Sequence, residues 1–191
     1  MKSSMAVAAV TLGLVLGGCG HKAEEQAAAT ATANAPAADA PTVFGVMNAS
    51  IIPGSNKVWE LAGNLYDDKG NLDAKLLTDA QWTEIKAAAT GISTSARTLA
   101  STTGLKVAPA GGKIQSEGTP GALGAAEVQA AMDADPKAFS EHATKLAAIA
   151  DEIATASAAH DAAKTDDAQS RMTEVCGACH QKFWYPNQPA K

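Results

Sequence analysis

Aromatic side chains are scarce in this sequence, 4% of 191 residues, although 46% are hydrophobic, because alanine carries much of the apolar count. Runs of β-branched residues are few too, so little favours strands, and an Ala-rich chain punctuated by glycine points to helices. Cysteine is limited to Cys19, Cys176 and Cys179. No second C-x-x-C and no H-x-x-x-H pair accompanies them, which leaves a structural zinc site short of its usual four ligands. A paired serine and histidine, a phosphate-binding glycine loop and a placeable carboxylate dyad are all missing, so no enzyme constellation is visible. Nor is there an excess of positive charge. The formal net charge is −5, which excludes an ordinary nucleic-acid binder and favours a basic patch on a partner protein.

What the chain does have is Cys176-Gly177-Ala178-Cys179-His180, eleven residues before its C-terminus. C-x-x-C-H is the attachment signature of c-type haem, in which two thiols add across the vinyl groups and the adjacent imidazole reaches the iron. The chemistry needs that spacing: cysteines three apart occupy neighbouring helical positions and can clamp one porphyrin edge. The competing readings are a thioredoxin-like redox dithiol and half of a zinc site. A redox dithiol would follow a strand in a βαβ unit, and nothing here reads as strand. One covalently bound haem c is therefore expected.

The N-terminus reads as a targeting segment over residues 1–18. Lys2 supplies a small positive region, and the apolar run from Ala6 to Leu16 is too short for a permanent span. It ends Leu16-Gly17-Gly18-Cys19, which resembles the bacterial lipobox, so Cys19 is expected to be acylated and to anchor the chain in a membrane. Gly20 rather than aspartate follows, which favours the outer membrane, with the protein on the periplasmic side. Removing residues 1–18 deletes one lysine and no acid, taking the charge from −5 to −6. Both cysteine assignments demand export, and no disulfide is left to propose. Residues 19–42 are mostly Ala, Thr, Pro and Glu without an apolar period and read as a disordered tether.

Residues 43–191 read as one helical domain. A first helix is expected from about Phe44 to Tyr66, with Val46, Met47, Ile51, Val58, Trp59, Ala62 and Leu65 as its apolar stripe and Pro53-Gly54 kinking or restarting it. Asp67 to Asn71 is a turn. Thr78 and Gln81 form a capping box ahead of Trp82, Ile85, Ala89, Ile92, Ala96 and Leu99, and this second helix ends near Gly104. Five glycines between Gly104 and Gly121, with Pro109 and Pro120, mark a long loop holding a short helix at Ala125 to Met132. The third helix opens with Asp135 as N-cap and Pro136 at its first position, and buries Phe139, His142, Leu146, Ile149, Ile153 and Ser157. The fourth is expected from about Asp166 to Phe183, ended by Pro186.

Four helices of roughly 18–25 residues joined in sequence suggest an all-α, antiparallel up-down-up-down four-helix bundle. In that arrangement the start of helix one, the end of helix two, the start of helix three and the end of helix four share one end, which places the haem there. Met47 is the leading candidate for the sixth iron ligand, since a thioether is a standard partner for a His-ligated electron-transfer haem. His142 is second, although a satisfied, half-buried histidine is the preferred reading for it. Met132 lies in the loop over the same end. Met172 and His160 belong elsewhere and are discounted. Arg97 either pairs with a propionate or is solvated, and Phe139, Phe183, Trp184 and Tyr185 either wall the porphyrin or pack as ordinary core.

With Cys176, Cys179 and His180 in the last helix and Met47 early in the first, residues 43–186 resemble the class II c-type cytochromes, the cytochrome c prime family. The resemblance implies a four-helix bundle with thioether bonds at Cys176 and Cys179, and His180 as proximal ligand. Members either leave the iron five-coordinate to bind NO or CO, or use a first-helix methionine and carry electrons; Met47 matches that methionine by its place in the helix. The lipobox, the glycine-rich loop and the Phe183-Trp184-Tyr185-Pro186 tail depart from the family pattern. The expectation is a non-enzymatic, lipid-anchored monohaem electron carrier with redox partner proteins. A five-coordinate gas-binding protein is the alternative, and a non-haem lipoprotein with a redox or metal-binding dithiol is the third reading. Members of that family often form homodimers through helix faces, and this chain shows no decisive patch for one.

Overall fold

The computed structural model describes residues 41–186 and 188. The expected signal segment, the tether up to residue 40 and Cys19 lie outside the described residues. Those described are mostly helical, and among them no strand forms, so the all-α class stands. The helices are α1 (Val43–Val46), α2 (Ile52–Gly63), α3 (Asp79–Ser101), α4 (Ala125–Ala134), α5 (Pro136–Ala158) and α6 (Ala162–Phe183).

Thr42 caps α1, its hydroxyl accepting from the Gly45 N–H at 3.0 Å. Pro53 does not restart the helix. Instead α1 runs through a π-helical segment, Met47–Ile51, straight into α2, with the Ile52 N–H donating to the Met47 carbonyl five residues back. Proline lacks an N–H and its ring crowds the carbonyl four residues earlier; the widened turn immediately before Pro53 absorbs both problems without ending the helix. Gly54 serves a different purpose. A Cβ there would lie 2.8 Å from Ile92 Cγ1 and 3.3 Å from the Ala88 carbonyl, so α2 and α3 approach closely enough at this point to exclude a side chain. Ile51, Val58, Ala62 and Leu65 are buried as expected, but Trp59 is 38% exposed, its indole N–H donating to Thr173 Oγ1 at 3.0 Å. The stripe is narrower than the count of apolar residues suggested.

The turn after α2 is held by Asp67, which accepts from the Lys69 and Asn71 N–H groups at 2.8 Å each, with Gly70 at φ +79°. Thr78 and Gln81 do form a reciprocal capping box, at 3.3 and 2.9 Å. All six expected core positions of α3 are buried. Asp135 caps α5 through the Ala138 N–H at 3.1 Å and also holds Lys182 of α6 at 2.6 Å. The start of α6 lies four residues earlier than expected. Asp161 is its N-cap, accepting from the Lys164 N–H at 3.0 Å, and His160, at φ +52°, turns the chain between α5 and α6.

α3 lies along α5, α5 along α6 and α2 along α3, while α2 also touches α6. Ser140 at the start of α5 donates to the Ala100 carbonyl near the end of α3 at 2.9 Å. His160, just past α5, stacks on Trp82 at the start of α3 with centroids 5.2 Å apart. These two helices therefore run in opposite directions. The long connection before α4 is not loose. Its Lys106 and Val107 carbonyls accept the first N–H groups of α1, from Val43 and Phe44, at 2.8 and 2.9 Å. Gln129 of α4 accepts from the Val107 N–H at 2.9 Å and donates to the Leu105 carbonyl at 3.3 Å. Orphan donors at a helix start need partners, and here the loop supplies them.

Candidate functional site

At one end of the helices lies a cavity of about 130 Å³, widening to about 960 Å³ of atom-free space when its open mouth is counted. Its walls come from the start of α1 and the π segment (Val43, Met47, Ile51), the end of α3 (Leu99), the loop (Val107, Ile114), α4 (Val128, Met132), the start of α5 (Phe139, His142) and the end of α6. From α6 and its cap come Cys176, Cys179, His180, Phe183 and Trp184. The expected attachment residues and the expected sixth ligand thus line one space, and α6 puts the cysteines on adjacent turns so that both face it.

The remaining candidates separate clearly. His142 and Met132 line the cavity. Met172 does not; it is fully buried between helices. His160 sits with Trp82 at the far end, near Ala74, whose carbonyl accepts from the Trp82 indole at 3.3 Å. Arg97 is away from the cavity and forms an ion pair with Asp151 of α5, with Ser93 bonded to the same carboxylate at 2.6 Å. The helical register turns Arg97 toward α5, which excludes the propionate role. Phe139, Phe183 and Trp184 wall the cavity, whereas Tyr185 stacks on Trp184 at 4.7 Å without lining it.

Burial sets the electrostatics. It pushes the Cys176 thiol up to about 11 and the Cys179 thiol up to about 12, Cys176 adding to the latter, so both are protonated at neutral pH. Burial lowers His180 below the ordinary histidine value, leaving a neutral imidazole with a lone pair to donate. His142 is lowered by the same cause, with the charges of Lys145 and Lys182 adding. The rings interlock edge to face: Phe139 on Phe183 at 5.7 Å, His142 on Phe183 at 6.3 Å, His180 on Trp184 at 5.2 Å.

Two wall atoms are out of keeping with the apolar surroundings. His142 Nδ1 and Trp184 Nε1 are buried without a hydrogen-bond partner among the described residues. His142 is half-buried as expected, with its Nδ1 left unpartnered among the described residues. A polar group left so costs about 1–3 kcal/mol, which is why native proteins contain few. Apolar walls, two thiols and an imidazole within five residues, a thioether from a facing helix and two unpartnered nitrogens together fit a flat, largely apolar group with a coordinating centre and polar margins. Sequence reasoning missed the loop's share of the wall. Ile114 is an isolated apolar residue in a polar, glycine-rich stretch and Val107 follows Leu105 by two, and these large apolar residues within the loop were the available signal.

Comparison with family models, with characterised proteins and with solved structures finds no match to this chain. Among the described residues no helix is long and apolar enough to cross a membrane.

Proposed function

We propose that the chain is an exported, lipid-anchored monohaem c-type cytochrome that carries single electrons, built as an antiparallel up-down-up-down four-helix bundle with its haem held covalently at one end. The observation that supports this most is the meeting of Cys176, Cys179 and His180 with Met47 in one apolar cavity. Bound there, a haem c would supply one-electron exchange between ferric and ferrous iron.

The residues have distinct parts in this reading. Cys176 and Cys179 would form the thioether links, and His180 and Met47 would hold the iron. The π segment beginning at Met47 widens the helix where the thioether must reach inward; such bulges recur at functional sites. Phe139, Phe183 and Trp184 exclude water, which disfavours the more highly charged oxidised state and raises the potential. The buried, protonated thiols argue against a redox dithiol, which needs an accessible thiolate. No catalytic role is assigned. The acidic chain would dock on basic patches of redox partner proteins, not on nucleic acid. Acylated Cys19 would tether it on the periplasmic side, at the outer membrane. Cys19→Ala should release a soluble haem protein from membranes, and unchanged partitioning would mean that another feature anchors it.

A second reading, five-coordinate haem that binds NO or CO, draws on the hydrocarbon wall around Met47, where Ile51 and Leu99 lie beside it and a thioether can serve as mere packing. The visible spectrum of the soluble Cys19→Ala chain decides between them. Low-spin bands, a far-red methionine-to-ferric band lost in Met47→Ala, and indifference to carbon monoxide support the electron carrier. High-spin bands that move with carbon monoxide make gas binding the function. Protein that is colourless, with no haem-staining band on a denaturing gel after expression with a working haem-attachment system, rules out both.

A further inference from the structure

We propose that Trp184 and His142 hold the carboxylates of the bound porphyrin, Trp184 through its Nε1–H and His142 through an Nδ1–H. This rests on the haem reading above and assigns the group's orientation in the cavity to two residues outside the C-x-x-C-H motif.

Both nitrogens are buried, line or border the same cavity, and lack partners among the described residues. An indole N–H can only donate, so its missing partner must be an acceptor. Much of the shared cavity wall cannot supply one, since Phe139, Phe183, Ile51 and Val175 are hydrocarbon. The other polar wall residues are accounted for. The Asn48 amide donates to the Phe44 carbonyl at 2.8 Å, and Gln115 is exposed in the loop at the mouth. What remains is an indole donor and an imidazole nitrogen that is a donor in its Nδ1–H tautomer, both in an apolar wall. That complements a flat ligand carrying acceptors at its margin.

Trp184 is placed with little freedom. Its backbone N–H donates to the His180 carbonyl at 2.8 Å, its own carbonyl accepts from the Leu123 backbone N–H at 2.9 Å, and its ring stands at 90° to that of His180. His142 is set against Phe183 on the neighbouring helix. The charge nearby has the matching sign. Lys145 and Lys182 both act on His142, opposed by Glu141, and Lys182 is itself paired with Asp135 at 2.6 Å. An anionic margin is thus stabilised by two N–H donors and by neighbouring ammonium groups, and charge-assisted bonds of this kind are the strong ones.

The test uses the full, haem-loaded chain and compares Trp184→Phe, His142→Phe and His142→Gln by resonance Raman spectroscopy and by redox titration. Removing a donor leaves more uncompensated negative charge beside the iron, which favours the ferric state. Trp184→Phe and His142→Phe should each shift the propionate bending band and move the ferric–ferrous equilibrium about three- to tenfold toward ferric, a fraction of a charge-assisted hydrogen bond. Axial-ligand bands should not change, and His142→Gln, which keeps an N–H donor, should recover much of the shift. A haem-loaded Trp184→Phe protein with unmoved propionate band and equilibrium overturns the proposal while leaving the cytochrome reading intact. Loss of the low-spin bands in His142→Phe would make His142 an iron ligand and overturn it as well. Wild-type chain that takes up no haem overturns the cytochrome reading itself, and this assignment with it. Should His142→Phe not fold, Trp184→Phe, which keeps an aromatic ring in place, carries the test alone.

Discussion

Replacing Gly54 with alanine tests how α2 is seated against α3. On helix propensity alone the change should stabilise, by about 1 kcal/mol. The position forbids it. The new Cβ would stand 2.8 Å from Ile92 Cγ1, 3.2 Å from its Cδ1 and 3.3 Å from the Ala88 carbonyl. Ile92 has no exposed surface into which to retreat, and the carbonyl belongs to a helix backbone. Overpacking of a full core typically costs about 1–3 kcal/mol, and here it must first cancel the propensity gain. The net loss expected is therefore up to about 2 kcal/mol. Gly91, on the facing helix, supplies the control, because a Cβ there meets only Ser50 Oγ at 3.8 Å. Gly91→Ala should gain about 0.5–1 kcal/mol. The two variants, chemically identical, should move the urea midpoint in opposite directions with an unchanged slope. A Gly54→Ala protein stabilised as much as Gly91→Ala would refute the close approach of α2 and α3.

The two methionines at issue should behave in opposite ways. Met172→Ala empties a fully buried site and should destabilise by about 2–5 kcal/mol without altering the haem spectrum, while Met47→Ala should alter the spectrum with a smaller effect on stability. Thr78→Ala removes one half of the capping box and should cost about 1 kcal/mol by chemical denaturation; no loss would mean that Gln81 and water replace it. Lys182 and the Ala138 N–H hold the Asp135 carboxyl below the usual carboxylate range. A depressed carboxylate stabilises above its unfolded value and loses that contribution as pH falls through its folded value. Asp135→Asn should therefore lower the urea midpoint at neutral pH, and the difference should vanish in acid.

Local chemistry was readable from the chain wherever a few consecutive residues decide it. Thr78 with Gln81, Asp135 with Pro136, and the Trp82 to Leu99 stripe each specify a helix start or a buried face from within one segment, and each stands as expected. The end of the molecule that gathers Met47 with His180 was also readable, because helix order and length alone bring those positions together. Where reading failed, the deciding contact lay far away in sequence. Pro53-Gly54 looked like a break, but neighbouring helices hold the segment helical and let a π turn absorb the proline. Asp161 is the N-cap of α6, yet the first turn it opens, Ala162 to Thr165, carries no large apolar residue to mark a buried face in the sequence. Trp59 counted as core, yet its N–H reaches Thr173 at the surface.

By itself, then, the sequence determined the helices, most of their caps, and the C-x-x-C-H motif on which the proposed haem attachment rests, since its five positions are contiguous. Tertiary structure decided the rest. Only the packing of α5 shows that Arg97 meets Asp151 and not the cavity, and that His142 Nδ1 is left without a partner. Only the path of the glycine-rich loop shows Val107 and Ile114 completing the wall. The physical reason is common to all of these: a cap or a stripe is set by neighbours along the chain, whereas a cavity wall and an unsatisfied donor are defined by atoms that only folding brings near.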